Sequence, residues 1–236
     1  MGYLIYDNAN TAAHGIVIDG AAAYNAPERD VEMISVPGRN GDVIVDNGRY
    51  KNVPISYNAG ITKDFPNHAA WARSFFLARA FDYYRLTDSY DTSHFRMARY
   101  TGEFEFTPAF LNFSGQMVLT FDCKPQRFLL AGEIEETKTS GSIITNPTLF
   151  DALPLIKIAS ATNGSILTVN GRTIRFTAAV TNATIDCELM ECYNGAISLN
   201  SAIQCTDFPK LSPGNNAIAW SGTITNFRIT PRWWEL

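Results

Sequence analysis

Charge, cysteine and histidine are all scarce in this chain. Only 18% of the 236 residues are charged, below the usual quarter of a soluble protein. Yet 46% are apolar, enough to fill the cores of one large or two ordinary domains. Low charge at this apolar content argues against disorder and predicts a surface partly covered by partners. The 19 basic and 23 acidic residues leave a formal charge of −4 with no basic block. Avid nucleic-acid binding needs clustered Lys and Arg to displace counterions, so specific nucleic-acid binding is not expected. No apolar run approaches the roughly 20 residues of a membrane-spanning helix, and no membrane contact is expected. The opening, Met1 to Asp7, lacks the basic start and apolar stretch of a secretion signal. Tyr6 stands where a myristoylation motif wants Ser or Thr.

Cys123, Cys187, Cys192 and Cys205 are too few and too irregularly spaced for a disulfide scaffold. Cys187 and Cys192 have no second pair or spaced His beside them, so buried free thiols are a better reading than zinc. His14, His68 and His94 are far apart in sequence and read as surface or turn residues. The motifs of hydrolases, phosphate loops, zinc proteases and dinucleotide folds are missing. Asp186 and Glu188 share a strand face and could in principle act as a glycosidase pair. The solvated side of a half-buried strand explains them better. The sequons at Asn112, Asn163 and Asn182 read as chance matches. No enzyme activity, cofactor, metal ligand or catalytic residue is assigned.

What the sequence does have is turn chemistry and alternation. Asn-Gly, the favoured core of a type I′ hairpin turn, occurs at Asn40-Gly41, Asn47-Gly48, Asn163-Gly164, Asn170-Gly171 and Asn194-Gly195. The pattern predicts one hairpin of residues 42–45 and 50–57 around Asn47-Gly48, with Pro54 demanding an edge or bulge. It predicts a second of residues 165–169 and 172–176 around Asn170-Gly171. From Phe113 to Cys123 the odd positions are apolar and the even ones mostly polar, as in a half-buried strand. Ile185, Cys187 and Leu189 alternate likewise with Asp186 and Glu188.

One segment departs from this pattern. Asp64-Phe65-Pro66 reads as a helix start, and the spacing predicts a helix over residues 66–81. Trp71, Ser74, Phe75 and Ala78 share its apolar face, with Trp71 and Phe75 as core anchors and Arg73 and Arg79 pointing elsewhere. A polar stretch over 131–141 marks a join, and Asn146-Pro147 opens a run of short strands spaced like a β-sandwich. Trp233-Trp234 could stack a sugar, but a closing strand packed on a sheet is the simpler reading.

Several stretches recur together in a familiar order. They are Ser35-Val36-Pro37-Gly38-Arg39-Asn40-Gly41-Asp42 with Asp46-Asn47-Gly48-Arg49-Tyr50, residues 84–90 with 95–100, and residues 121–128. They continue with residues 143–150, then 208–211, 213–216, 220–222 and 229–233. In this order they resemble the distal tail proteins (Dit) of long, non-contractile-tailed bacteriophages. The resemblance implies a mostly β chain, with an N-terminal β-barrel-like domain carrying one α-helix (1–132). A C-terminal galectin-like β-sandwich follows (133–236). It further implies a structural virion protein whose N-terminal domains form a hexameric ring. That ring joins the tail tube to the tail-tip or baseplate host-adhesion device and lets DNA pass. The implied partners are further copies of the chain, the major tail (tube) protein and a tail-associated, tail-fibre or baseplate protein. The implied location is the virion tail tip, after assembly in the host bacterial cytoplasm. Within the first half, Pro37, Gly38, Arg39, Asn47, Gly48 and Pro54 suit an edge that meets a neighbouring subunit, and they are the expected ring interface. The rival from another class is a lectin-like protein binding sugar through the second domain. The chain is too short for an inserted carbohydrate-binding module, which favours a plain adaptor.

Overall fold

The computed structural model describes residues 2–20, 25–109 and 113–236; the expected sequon at Asn112 lies outside them. The chain divides into two compact units, Met1–Arg127 with Leu236, and Phe128–Glu235. Residues 128–132, which the resemblance placed in the first domain, lie with the second unit. Leu129 packs on the second core, its N–H donates to the Trp233 carbonyl (2.9 Å), and the Arg232 N–H donates to Gly132 (2.8 Å). Packing changes hands before the composition turns polar.

In the first unit the elements are β1 (Leu4–Tyr6), β2 (Ala9–Asn10), β3 (Ile16–Ile18), β4 (Arg29–Ile34), β5 (Val43–Tyr50) and β6 (Val53–Ile61). Then come α1 (Phe65–Leu77), β7 (Tyr84–Asp88), β8 (Asp91–Tyr100), β9 (Thr107–Ala109) and β10 (Ser114–Leu129). The main sheet runs β2-β1-β7-β8-β10-β6-β3, with β9 on β10. Gly2, just ahead of β1, bridges Ile18 in β3, and the Ile18 N–H donates to the Gly2 carbonyl at 2.9 Å. The sheet thus curls back on itself into a barrel-like wall, which leaves few open edges. On β10 the expected alternation is met: Gly115, Met117, Leu119, Phe121 and Cys123 are buried, while Gln116 and Val118 are exposed. Phe113, just before the strand, is exposed. Pro54 pairs opposite Asp122 of β10. On its other side β3 reaches only residues 59–61 of β6, so the missing N–H costs no ladder bond there.

The helix is shorter than expected, and its buried face is rotated. Phe65, Ala69, Ala72 and Phe76 are buried, spaced at three and four residues as a helical stripe requires. Ser74 and Ala78 are exposed, and Trp71 and Phe75 are half-buried. Phe76, fully buried among Tyr6, Tyr100 and Phe121, is the true anchor. Trp71 and Phe75 stack on each other (4.6 Å) at the margin of that core. Large apolar size drew the sequence reading to Trp71, whereas small Ala72 lets the helix backbone approach the sheet. Arg79 is not free of the fold either: its guanidinium lies 3.9 Å over the Phe75 ring and pairs with Asp7 at 2.7 Å.

The second unit comprises β11 (Glu136–Thr137), β12 (Ile143–Asn146), β13 (Leu155–Ala161), β14 (Ile166–Val169), β15 (Arg172–Phe176), β16 (Val180–Asp186) and β17 (Glu191–Asn194). They are followed by β18 (Ile197–Ser198), β19 (Ile203–Gln204), β20 (Gly214–Ser221), β21 (Ile224–Thr225), β22 (Arg228–Thr230) and β23 (Trp234–Glu235). One sheet runs β11-β22-β13-β16-β17-β18 with β21 on β13, and the other β12-β20-β14-β15-β19. Ile156, Ile158 and Ile185 from the first meet Leu167, Ile174, Phe176 and Ile218 from the second in one core. The unit is a β-sandwich, as the resemblance implies. Trp233 is buried in it, and Trp234 stacks on Phe150 at 4.5 Å. The two tryptophans are thus used by the fold.

Candidate assembly interface

Strands β4 and β5 form a two-stranded ribbon that joins none of the three larger sheets. It is the most exposed regular structure in the first unit, and beside the charged Arg29, Glu32, Asp46 and Arg49 it exposes a run of apolar residues. Met33 is 55% and Ile44 62% exposed, and Val31, Ile34, Val36 and Val45 are also open. Met33 stands opposite Ile44, and Ile34 opposite Val43. Because side chains alternate across a strand, Val31, Met33 and Ile44 mark one face, and Ile34, Val43 and Val45 the other. Both faces of this arm thus carry uncovered apolar side chains, each beside one carboxylate, Asp46 on the first and Glu32 on the second. An isolated two-stranded ribbon is marginal in water, so such a surface points to cover by another chain.

The base of the arm is fastened by charge. Arg29 grips Asp46 with two hydrogen bonds (2.9 and 2.6 Å) and lies 4.7 Å over the Tyr50 ring. Arg49 pairs with Asp30 at 2.7 Å, and Lys51 with Glu28 at 3.4 Å. The Arg29 hydrogen bond, helped by the Gly48 N–H, holds the Asp46 carboxyl below the usual range; Arg49 does the same for Asp30. At the tip the Arg39 N–H donates to Val36 (3.1 Å), and Gly38 has φ +80°. Pro37 followed by a positive-φ Gly is the signature of a type II turn.

All six expected interface residues are exposed. Five of them, Pro37, Gly38, Arg39, Asn47 and Gly48, lie on the arm; Pro54 lies apart, in β6. The structure corrects the role of Asn47-Gly48, which is not a hairpin turn. Strand β5 pairs back to β4 rather than forward to residues 50–57, and the turn spans residues 35–42. Only Gly48 of the pair has positive φ (+75°), whereas a type I′ turn needs both, as at Asn170 (+49°) and Gly171 (+77°). Asn47, Gly48 and Arg49 instead stand opposite Asp30 alone, an enlarged β-bulge.

The remaining candidates for chemistry are absorbed by structure. His14 stacks on Trp71 at 3.6 Å, and a Cβ at Gly15 would meet the His68 ring at 2.9 Å. The fold thus draws two of the three histidines together. His94 binds Asp91 (2.9 Å), which also takes Arg127 at 2.6 Å. Burial opposes ionisation of Asp91, but His94, Arg127 and Ser93 outweigh it and bring the carboxyl down to about 2. Asp186 is not on a solvated face: it is buried and bound by Arg232 through two hydrogen bonds (2.8 and 3.0 Å). Burial pushes its carboxyl up, and Arg232 with the Leu189 and Glu188 N–H groups brings it below the ordinary value. Cys123, Cys187 and Cys192 are buried and Cys205 half-buried, all as free thiols. Among the described residues no three His, Cys, Asp or Glu side chains come together as a metal cluster.

No protein-family model matches the chain, and no curated protein matches it. Solved structures do. The SPP1 Dit (gp 19.1) protein is a paradigm of the hub adsorption apparatus of phages infecting Gram-positive bacteria. It superposes with a TM-score of 0.74 at 14% identity, over 97% of each chain. A chain of the phage P2 baseplate in its activated, calcium-containing conformation superposes at 0.53 and 8% identity, over 97% of this chain and 96% of that one. Over nearly its whole length, the fold of this chain is therefore that of the SPP1 Dit protein.

Proposed function

We propose that the chain is a distal tail adaptor, a structural virion protein at the tail tip with no catalytic role. The observation that carries this reading is the agreement of fold over 97% of both chains with a phage hub protein. The exposed apolar arm supports it, because a protein that works in an assembly keeps apolar surface for its neighbours. Six copies close into a ring through their first units, since a heterologous contact of suitable rotation closes on itself. The ring joins the tail tube to the baseplate or tail-associated proteins and encircles the path of the DNA. At −4 per copy the ring carries −24 formally, which suits a conduit that must not hold the polyanion passing through it.

Mass measurement of the full chain in solution tests this reading, together with negative-stain images. Six copies and a central hole are expected; a monomer at high concentration overturns it. The assembled ring should also fail to retain duplex DNA at low salt.

A further inference from the structure

A cleft of about 750 Å³ runs along the barrel wall of the first unit. Its floor includes Gly60 of β6 and the outward-facing Val118 of β10, and Asp19, Glu103 and Glu105 line it. All three carboxylates are exposed, no Lys or Arg lines the cleft, and none of the three has an ion-pair partner among the described residues. At the tip of the arm Arg39 is the one cation and Asp42, three residues on, the one carboxylate; both are exposed, and neither has an ion-pair partner among the described residues. The arm's flanking apolar residues, Ile34, Val36 and Val43, match the apolar part of the cleft floor in kind. Arg39 is thus complementary in charge to the cleft carboxylates, the flanking apolar residues to its floor, and both surfaces stand open on the same chain.

We propose that the cleft receives the arm tip of a second copy of this chain, with Arg39 placed among Asp19, Glu103 and Glu105. The inference rests on the ring reading and deepens it, because tip and cleft are different surfaces. A contact between unlike surfaces is heterologous and propagates head to tail, as ring closure requires. The apolar residues that flank the tip on both sides also need cover on both, which a cleft supplies and a flat surface does not. At about 3.3 Å per residue, eight-residue β5 extends roughly 26 Å, enough to cross to a neighbour.

The test uses the full chain. Arg39→Glu is expected to weaken association at least tenfold in low salt, and less in high salt, where screening already weakens the parent. Gly60→Trp should plug the cleft without altering its charge. A Cβ there meets only the Gly115 carbonyl at 3.8 Å, so the melting temperature should hold while association is lost. Adding Glu103→Arg and Glu105→Arg to Arg39→Glu should restore association to within about threefold of the parent. Finally, Asn40→Cys chains mixed with Gln116→Cys chains should form a disulfide-linked pair on mild oxidation. A parent that assembles while all these variants behave like it overturns the docking site alone. A parent that stays monomeric overturns the ring and the docking site together.

Discussion

Two hairpins of this chain invite comparison, the β4–β5 arm and the β14–β15 hairpin of the sandwich. Both are antiparallel, and both carry an Asn-Gly pair. In β14–β15 one face is sealed: Leu167, Val169, Ile174 and Phe176 are buried, and β20 and β19 pair the outer edges. In the arm both faces and both edges are open. Apolar side chains therefore mean different things in the two places. In the sandwich they stabilise the fold itself; in the arm they wait for a neighbour. Ion pairs at the base hold the arm in shape meanwhile.

The largest test of this contrast is Phe176→Ala against Ile44→Ala. The first should cost about 3–5 kcal/mol in chemical denaturation of the second unit. The second should leave the melting temperature almost unchanged and weaken association in sedimentation. Equal thermal effects would erase the distinction. The same logic separates Phe76 from Trp71: Phe76→Ala should cost about 3–5 kcal/mol, and Trp71→Ala clearly less, since its ring is half-open.

Next in size is the buried pair of the sandwich. Asp186→Asn removes the buried partner of Arg232, leaving it only the exposed Glu188 at 3.5 Å, and should cost about 3 kcal/mol. Asp186 and Asp91 are both held below their ordinary values, Asp91 to about 2. Carboxylates of this kind contribute stability that is fully present above the unfolded value of about 4. It is lost as pH falls through the folded value. Acid melting should therefore begin below pH of about 4, and Asp186→Asn should flatten that slope.

The smallest effect is a matched pair of glycines. Gly48 and Gly171 have nearly the same φ (+75° and +77°), and a Cβ at either would meet nothing within 4 Å. Alanine at each should cost about 1–2 kcal/mol of backbone strain. Gly171→Ala should lower the melting temperature of the sandwich, whereas Gly48→Ala should show itself in assembly alone.

What could be read from sequence divides along local and distant lines. The β10 alternation and the Asn170-Gly171 turn are written in neighbouring residues, so both were legible. Asn47-Gly48 was not, because bulge and turn use the same residues and only the partner strand decides between them. The helix face went astray because Trp71 and Phe75 outweigh alanines in any size-based reading. Asp186 looked solvated because Arg232, its partner, is 46 residues away. The arm residues Pro37, Gly38 and Arg39 were singled out for their turn chemistry. The cleft left no signal, since its carboxylates are scattered from Asp19 to Glu105.

The bulge at Asn47 to Arg49 has a consequence for how the arm keeps count. In most strands a slip of one residue is forbidden because it would turn the apolar set toward water. The arm has apolar side chains on both faces, so hydrophobicity hardly objects to a slip. Arg29 on Asp46 and Arg49 on Asp30 do object, since each pair is broken by a shift of one position. The ion pairs at the base thus act as an index mark, fixing which residues reach the tip. Deleting one residue between Val43 and Val45 should leave a folded ribbon that presents the wrong side chains.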